Sequence, residues 1–241
     1  MLDTFTIERP ELALSELATA CGLHPSTARR LLLTCEAVEW IAQDPVTRKY
    51  RLGMKLFELG HRAGEGLELP KIARPHLKRL VEETQESAYL AVMDRTEVLY
   101  LNRVESPQAV RLTSSVGQRL PAHSTGTGKV FLAHLSPQAL DDFLSRPLTR
   151  YTTKTITDPT ALRQELEGVR TRGYATTLEE HLEGTFSVAA PIFGPRGALI
   201  AALGMSGPSY RITDELFSEF SQIMISVAQA ISTAMGGRVG T

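Results

Sequence analysis

The chain has 241 residues, of which 42% are hydrophobic and 22% charged, with a formal net charge of -1. That length exceeds a typical single domain and can bury substantial cores, and the composition is that of an ordinary globular protein rather than a disordered or fibrous one. No apolar run approaches the roughly 20 residues of a membrane span, no signal peptide is visible, and two cysteines on apolar helix faces fit buried thiols in a reducing, cytoplasmic compartment.

The most informative stretch runs from Leu14 to Leu32 and reads as two helices joined by a tight turn. In the first, Ser15 is the expected N-cap and Glu16 favours the positive end of the helix dipole. Leu14, Leu17, Ala18 and Cys21 fall on one stripe, and Gly22 is placed as a left-handed stop. Pro25 suits the opening of the second helix, on which Ala28, Leu31, Leu32 and Cys35 form the inner stripe. The opposite side carries Ser26, Thr27, Arg30 and Thr34, with Arg29 on the flank. Short hydroxyls at a helix start can contact phosphates, and arginine can grip a guanine edge. The alternative is an ordinary helical hairpin with a solvated outer face.

The next segment favours DNA. Residues 38–42 read as a strand, Asp44-Pro45-Val46-Thr47 as a turn, and residues 48–52 as a returning strand bearing Arg48, Lys49 and Arg51. A helix pair followed by a basic-edged hairpin is a winged helix. Although the net charge counts against a generally basic binder, Arg29, Arg30, Arg48, Lys49 and Arg51 concentrate positive charge within one span, which is what duplex binding needs. The plainer reading of the hairpin is a charged, guarded edge strand.

A boundary falls near Gly64-Glu65-Gly66. Residues 54–60 form a helix before it, and residues 69–85 a second one after it, interrupted early by Pro70 and Pro75. Beyond it strands and helices mix. Residues 88–93 and 98–104 make a hairpin, and 110–113 add a strand. Residues 128–135, 137–144 and 159–172 are helical, the last stopped by Gly173. Strands resume at 174–177, 186–193 and 198–206, before a closing helix that starts at Thr213 and turns Leu216, Phe220, Ile223 and Val227 inward. The fold class is α+β, with a mostly antiparallel sheet flanked by helices.

Small-molecule binding points to His123-Ser124-Thr125-Gly126-Thr127-Gly128-Lys129, where glycines admit close backbone approach and a helix start favours an anion. A phosphate-binding P-loop does not fit, because His123 stands where its first glycine belongs and Val130 follows the lysine. A plain helix cap is the other reading of this loop. No catalytic set emerges: His123, His134 and His181 are scattered, Ser124 lacks an evident base, and Glu179-Glu180-His181 has no metal-ligand spacing. No metal and no cofactor are expected.

The helix pair followed by Asp-Pro-x-Thr-x-x-Tyr-Arg-Leu-Gly (Asp44 to Gly53) resembles the IclR family of bacterial transcription regulators. So does the ordered set Arg103-Val104-Glu105-Ser106, Leu120-Pro121-Ala122-His123, Gly126-Thr127-Gly128-Lys129, Arg172-Gly173-Tyr174-Ala175, Glu179-Glu180-His181 and Ser206-Gly207-Pro208, which covers nearly the whole chain. The resemblance implies a winged helix-turn-helix DNA-binding domain over 1–63, a linker helix region over 64–86 carrying dimer contacts, and a GAF-like effector-binding domain over 87–241. It also implies a helix before the pair, for which residues 1–10 leave little room, so that helix is either shortened or the start lies further upstream. It places effector contacts at Gly126, Thr127, Thr177, Ser187, Gly204 and Ser206. Thr177 and Gly204 stand where acid-sensing relatives have an acidic residue and a serine, which implies a less polar, roomier pocket for an aromatic or branched acid rather than a glyoxylate-sized one. The expected protein is a ligand-responsive regulator, most simply a repressor, that binds a double-stranded DNA operator as a homodimer or dimer of dimers and senses a small organic acid. The alternative is an enzyme acting on a small acid, with the helix pair serving as an interaction module.

Overall fold

A computed structural model of the chain describes every residue except Ile7, Thr113 and residues 238–241. The contacts divide it into two compact units, 1–68 and 69–241.

In the first unit a short strand β1 (Glu11–Leu12) precedes α1 (Leu14–Ala20) and α2 (Pro25–Ala37), and β2 (Ile41–Gln43) and β3 (Tyr50–Leu52) complete a three-stranded antiparallel sheet in the order β1-β3-β2. α3 (Met54–Glu65) ends the unit. The cap of α1 is Ala13 rather than Ser15, and the Glu16 carboxylate reaches back to accept from the Ala13 N–H at 2.8 Å. That backbone donor, more than Arg9, holds the Glu16 pKa below its usual range. Gly22 takes φ +64°, the conformation that lets the chain reverse between the helices. His24 caps α2 through its ring nitrogen, and Pro25 follows at the first helical position. Leu17, Ala18, Ala28 and Leu32 are buried, with Leu14 and Cys35 packed beside them, whereas Leu31 points outward, 42% exposed. The strands are shorter than expected. Residues 38–40 belong to the turn after α2, and Arg48 and Lys49 to the wing turn, where Asp44 accepts from the Val46 and Thr47 N–H groups at 2.9 and 2.7 Å.

The second unit opens with α4 (Glu68–Thr84), which runs through Pro75 without a break; Pro70 lies in its first turn, where a missing N–H costs nothing. Its buried residues Ala73, Leu77, Leu80 and Val81 join the core of this unit, so most of the stretch expected as a linker is sheet-packing helix. A six-stranded sheet follows, built from β4 (Ser87–Asp94), β5 (Glu97–Val104), β6 (Arg119–Pro121), β7 (Ala175–Leu178), β8 (Thr185–Phe193) and β9 (Leu199–Pro208) in the order β6-β5-β4-β9-β8-β7. Every pairing among the described strands is antiparallel. The expected strand over 110–113 does not form: residues 110–112 lie in a connecting loop, Thr113 falls outside the described residues, and β6 supplies the edge instead. α4 and α8 (Asp214–Ala234) cover one face through Phe220, Met224, Ala228 and Ile231. α5 (Gly126–Ala133), α6 (Pro137–Leu144) and α7 (Pro159–Arg172) cover the other through Val130, Leu132, Phe143, Leu162 and Leu166. Both faces are therefore buried, so the central strands read as continuous apolar runs rather than alternating ones.

Gly53, just before α3, tests the first unit. A Cβ there would lie 2.0 Å from the Glu39 carbonyl oxygen, and that backbone has little room to retreat. Gly53→Ala is expected to destabilise this unit by about 1–3 kcal/mol. Trp40, the chain's single tryptophan, reports on it by fluorescence during urea unfolding.

Candidate functional site

The first unit presents the outer face of α2 and the wing. Ser26, Arg29, Arg30 and Thr34 are exposed and Thr27 is half-buried, while Arg48, Lys49 and Arg51 are exposed on the hairpin. Helix geometry dictates this division: with Ala28 and Leu32 inward, residues about half a turn away must point out. Two hydroxyls are already engaged, Ser26 with the His24 ring at 2.8 Å and Thr34 with the Arg30 carbonyl at 3.1 Å.

The second unit holds a cavity of about 180 Å³ on the α5 side of the sheet. Strand register assembles its floor. Thr177 faces Ser187 and Ser187 faces Ser206, so three hydroxyls on adjacent strands form one row. The Thr177 and Ser187 hydroxyls bond at 2.6 Å. Tyr89 and Tyr100 stack at 4.6 Å beside this row, and Leu112, Leu120 and Phe186 add apolar wall. Burial raises the pKa of both phenols, so they remain neutral donors.

Gly126 and Thr127 do not line the cavity. They begin α5 directly behind it, where a Cβ on Gly126 would sit 2.8 Å from the Ser187 hydroxyl. Gly204 does not enlarge it either. The Tyr89 ring covers this glycine, and a Cβ there would lie 2.1 Å from a ring carbon. The expected extra room at position 204 is filled by the Tyr89 phenol.

The histidines are less scattered than the sequence implies. Tyr151 lies between His123 and His181, with ring centroids 5.8 and 4.8 Å away, and His181 Nδ1 stands 3.2 Å from Ser124 Oγ. His134 is apart, bonded to the Val130 carbonyl at 2.8 Å. Ser124 and His181 both line the cavity. They lie 57 positions apart, which hid the pair from sequence reading; the connection between β7 and β8 brings them together. Tyr89 and Tyr100 were also missed, although the alternation of their strands puts both on one face. Among the described residues no group of three potential metal ligands gathers around His181.

Lys129, the lysine of the P-loop-like motif, is 1% exposed. Its Nζ lies 2.6 Å from Glu180 and 3.6 Å from Glu165, so it fastens α5 to the β7–β8 connection and cannot reach a phosphate in the cavity. Burial raises the Glu180 pKa, against the opposing pull of Lys129. Removing one partner of such a pair strands a buried charge. Lys129→Met is expected to cost about 3–5 kcal/mol in chemical denaturation. The double change Lys129→Met, Glu180→Leu is expected to recover most of the loss.

Two family descriptions match the chain: the IclR helix-turn-helix domain over residues 1–45 and the bacterial transcriptional regulator IclR C-terminal domain over residues 61–233. The transcriptional repressor IclR of Escherichia coli K12 is 34% identical, over 98% of this chain and 88% of the relative. The IclR of Thermotoga maritima superposes with a TM-score of 0.77 at 30% identity, covering 98% of this chain and 95% of that one. An IclR homologue from Microbacterium hydrocarbonoxydans, solved in complex with 4-hydroxybenzoate, superposes with a TM-score of 0.85 at 32% identity, covering 98% of this chain and 95% of that one. Together with the exposed helix-turn-helix face and the sheet-borne cavity, these likenesses establish that the chain belongs to the IclR family of bacterial transcriptional regulators, with an N-terminal DNA-binding domain and a C-terminal effector-binding domain.

Proposed function

We propose that this regulator represses transcription from a palindrome-like operator and is controlled by a small ring-bearing acid held in the second-unit cavity. The observation that carries the reading is the cavity itself. At about 180 Å³ it exceeds the roughly 150 Å³ of an apolar cavity known to admit benzene, and it adds hydroxyl donors for one polar group. Its lining of tyrosines, leucines, serines and threonines suits an aromatic acid better than a two-carbon one. The relative solved with 4-hydroxybenzoate supports the same ligand class.

On the DNA side, α2 enters the major groove. Ser26, Thr27 and Thr34 contact phosphates, Arg29 and Arg30 read bases or phosphates, and Arg48, Lys49 and Arg51 hold the flanking backbone. One winged helix covers too little duplex for tight specific binding, so a homodimer or dimer of dimers binds paired half-sites. Repression follows the relative named a transcriptional repressor. Acting on DNA places the chain in the cytoplasm, and no helix among the described residues is long and apolar enough to cross a membrane. The effector changes operator affinity by preferring one of two quaternary states, and it leaves unaltered. Ser124 has a histidine beside it, but the neighbouring carboxylate of Glu180 is committed to Lys129 rather than to orienting that imidazole.

Arg30→Ala is expected to weaken binding to duplex DNA from the upstream region of its own gene by about 1–3 kcal/mol, measured by fluorescence anisotropy. An unchanged titration removes Arg30 from the interface. Ser206→Phe is expected to fill the cavity, abolishing thermal stabilisation by 4-hydroxybenzoate while leaving DNA affinity intact. Normal stabilisation of that variant puts the effector elsewhere.

A further inference from the structure

Among the described residues, the side chains lining the cavity include nine hydroxyl-bearing residues, Gln118, four apolar or aromatic side chains without a hydroxyl, and one group able to become a cation at moderate pH, His181. No carboxylate, lysine or arginine among the described residues lines it. An acid effector entering as a carboxylate therefore meets hydroxyl donors but no standing positive charge. Two cations stand behind the lining: Lys129 is spent on Glu180 at 2.6 Å, and Arg103, which donates to the Ser114 carbonyl, is paired with Glu105 at 3.2 Å.

We propose that His181, with Ser124 beside it, receives the effector's carboxylate and takes up one proton as the acid binds. This rests on the reading of the cavity as an acid site. Burial, and then His123, hold the His181 pKa below its ordinary range. A carboxylate in contact acts in the opposite direction, because an adjacent opposite charge favours the imidazolium. The groups facing His181 do not cancel this. On the α5 side stand Ser124 and His123, the latter across Tyr151. Glu180 is neutralised by Lys129, and Glu179 is paired with Lys154 at 2.7 Å. Tyr89 and Tyr100 are uncharged phenols kept so by burial. Ser124 Oγ, 3.2 Å from Nδ1, is placed to fix the ring and to share the ligand oxygen.

Linkage sets the sign. A group protonated in the complex and neutral without ligand makes affinity fall as pH rises, approaching about tenfold per pH unit once the free imidazole is neutral and until the complex itself loses the proton. A site that binds the acid through hydroxyls and backbone N–H groups alone shows no such slope.

The test is calorimetric titration of the full chain with benzoate at pH 7.5, in phosphate and in Tris, whose ionisation enthalpies differ widely. The expected result is a buffer-dependent heat corresponding to uptake of about one proton, with affinity falling as pH rises. In His181→Gln, which keeps hydrogen-bonding capacity but cannot carry the charge, benzoate binds more weakly and both the uptake and the slope vanish. Equal heats in the two buffers overturn the role of His181 even where binding is tight, and need only the native protein, so a misfolded variant does not blunt the test. Absence of both benzoate heat and thermal stabilisation in the native chain overturns the acid-site reading itself, and this inference with it.

Discussion

The close seating of α5 on the sheet is the constraint on which the second unit depends. Gly126 opens the helix where any side chain would strike Ser187 and Ala189, and Gly128 does the same against the Ala122 backbone, where a Cβ would meet the carbonyl oxygen at 2.2 Å. Small residues on the facing strands, Ala175 and Ala189, are the complementary feature. Because the helix lies this close, Lys129 is driven into the interior and must find a carboxylate there. Glu180 supplies it and brings His181 along on the same tight connection. One steric condition thus fixes the helix start, the buried ion pair and the polar end of the cavity.

The helix-turn-helix was legible because its signals are local. Gly22 and Pro25 punctuate the chain, and the stripe of Leu17, Ala28 and Leu32 follows helical periodicity whatever lies beyond it. The hairpin of residues 88–93 and 98–104 was legible for the same reason. What misled were weaker local cues. Leu31 belongs to the apolar spacing of α2 yet faces out, and residues 110–112 alternate like a strand yet lie in a loop. Pro75 reads as a break, but it occurs in a helix whose packing against the sheet outweighs one lost hydrogen bond.

The cavity was legible only in part, and register explains which part. Thr177, Ser187 and Ser206 align because three antiparallel strands pair as they do, and the family pattern already encodes those positions. The remainder depends on contacts between distant segments. Ser124 meets His181 through the joint placement of α5 and the β7–β8 connection, and the filling of the space over Gly204 depends on a side chain from β4. No periodicity or spacing in the chain announces either.

The Tyr89 ring over Gly204 has an evolutionary consequence. These residues are direct cross-strand partners in the sheet, so each limits the other's size. A side chain at 204 requires the ring at 89 to move or shrink, and loss of the ring opens a void that favours a larger residue opposite. Substitution at either position therefore exerts selection on the other, a coupling written into the sheet by a single pair of facing residues.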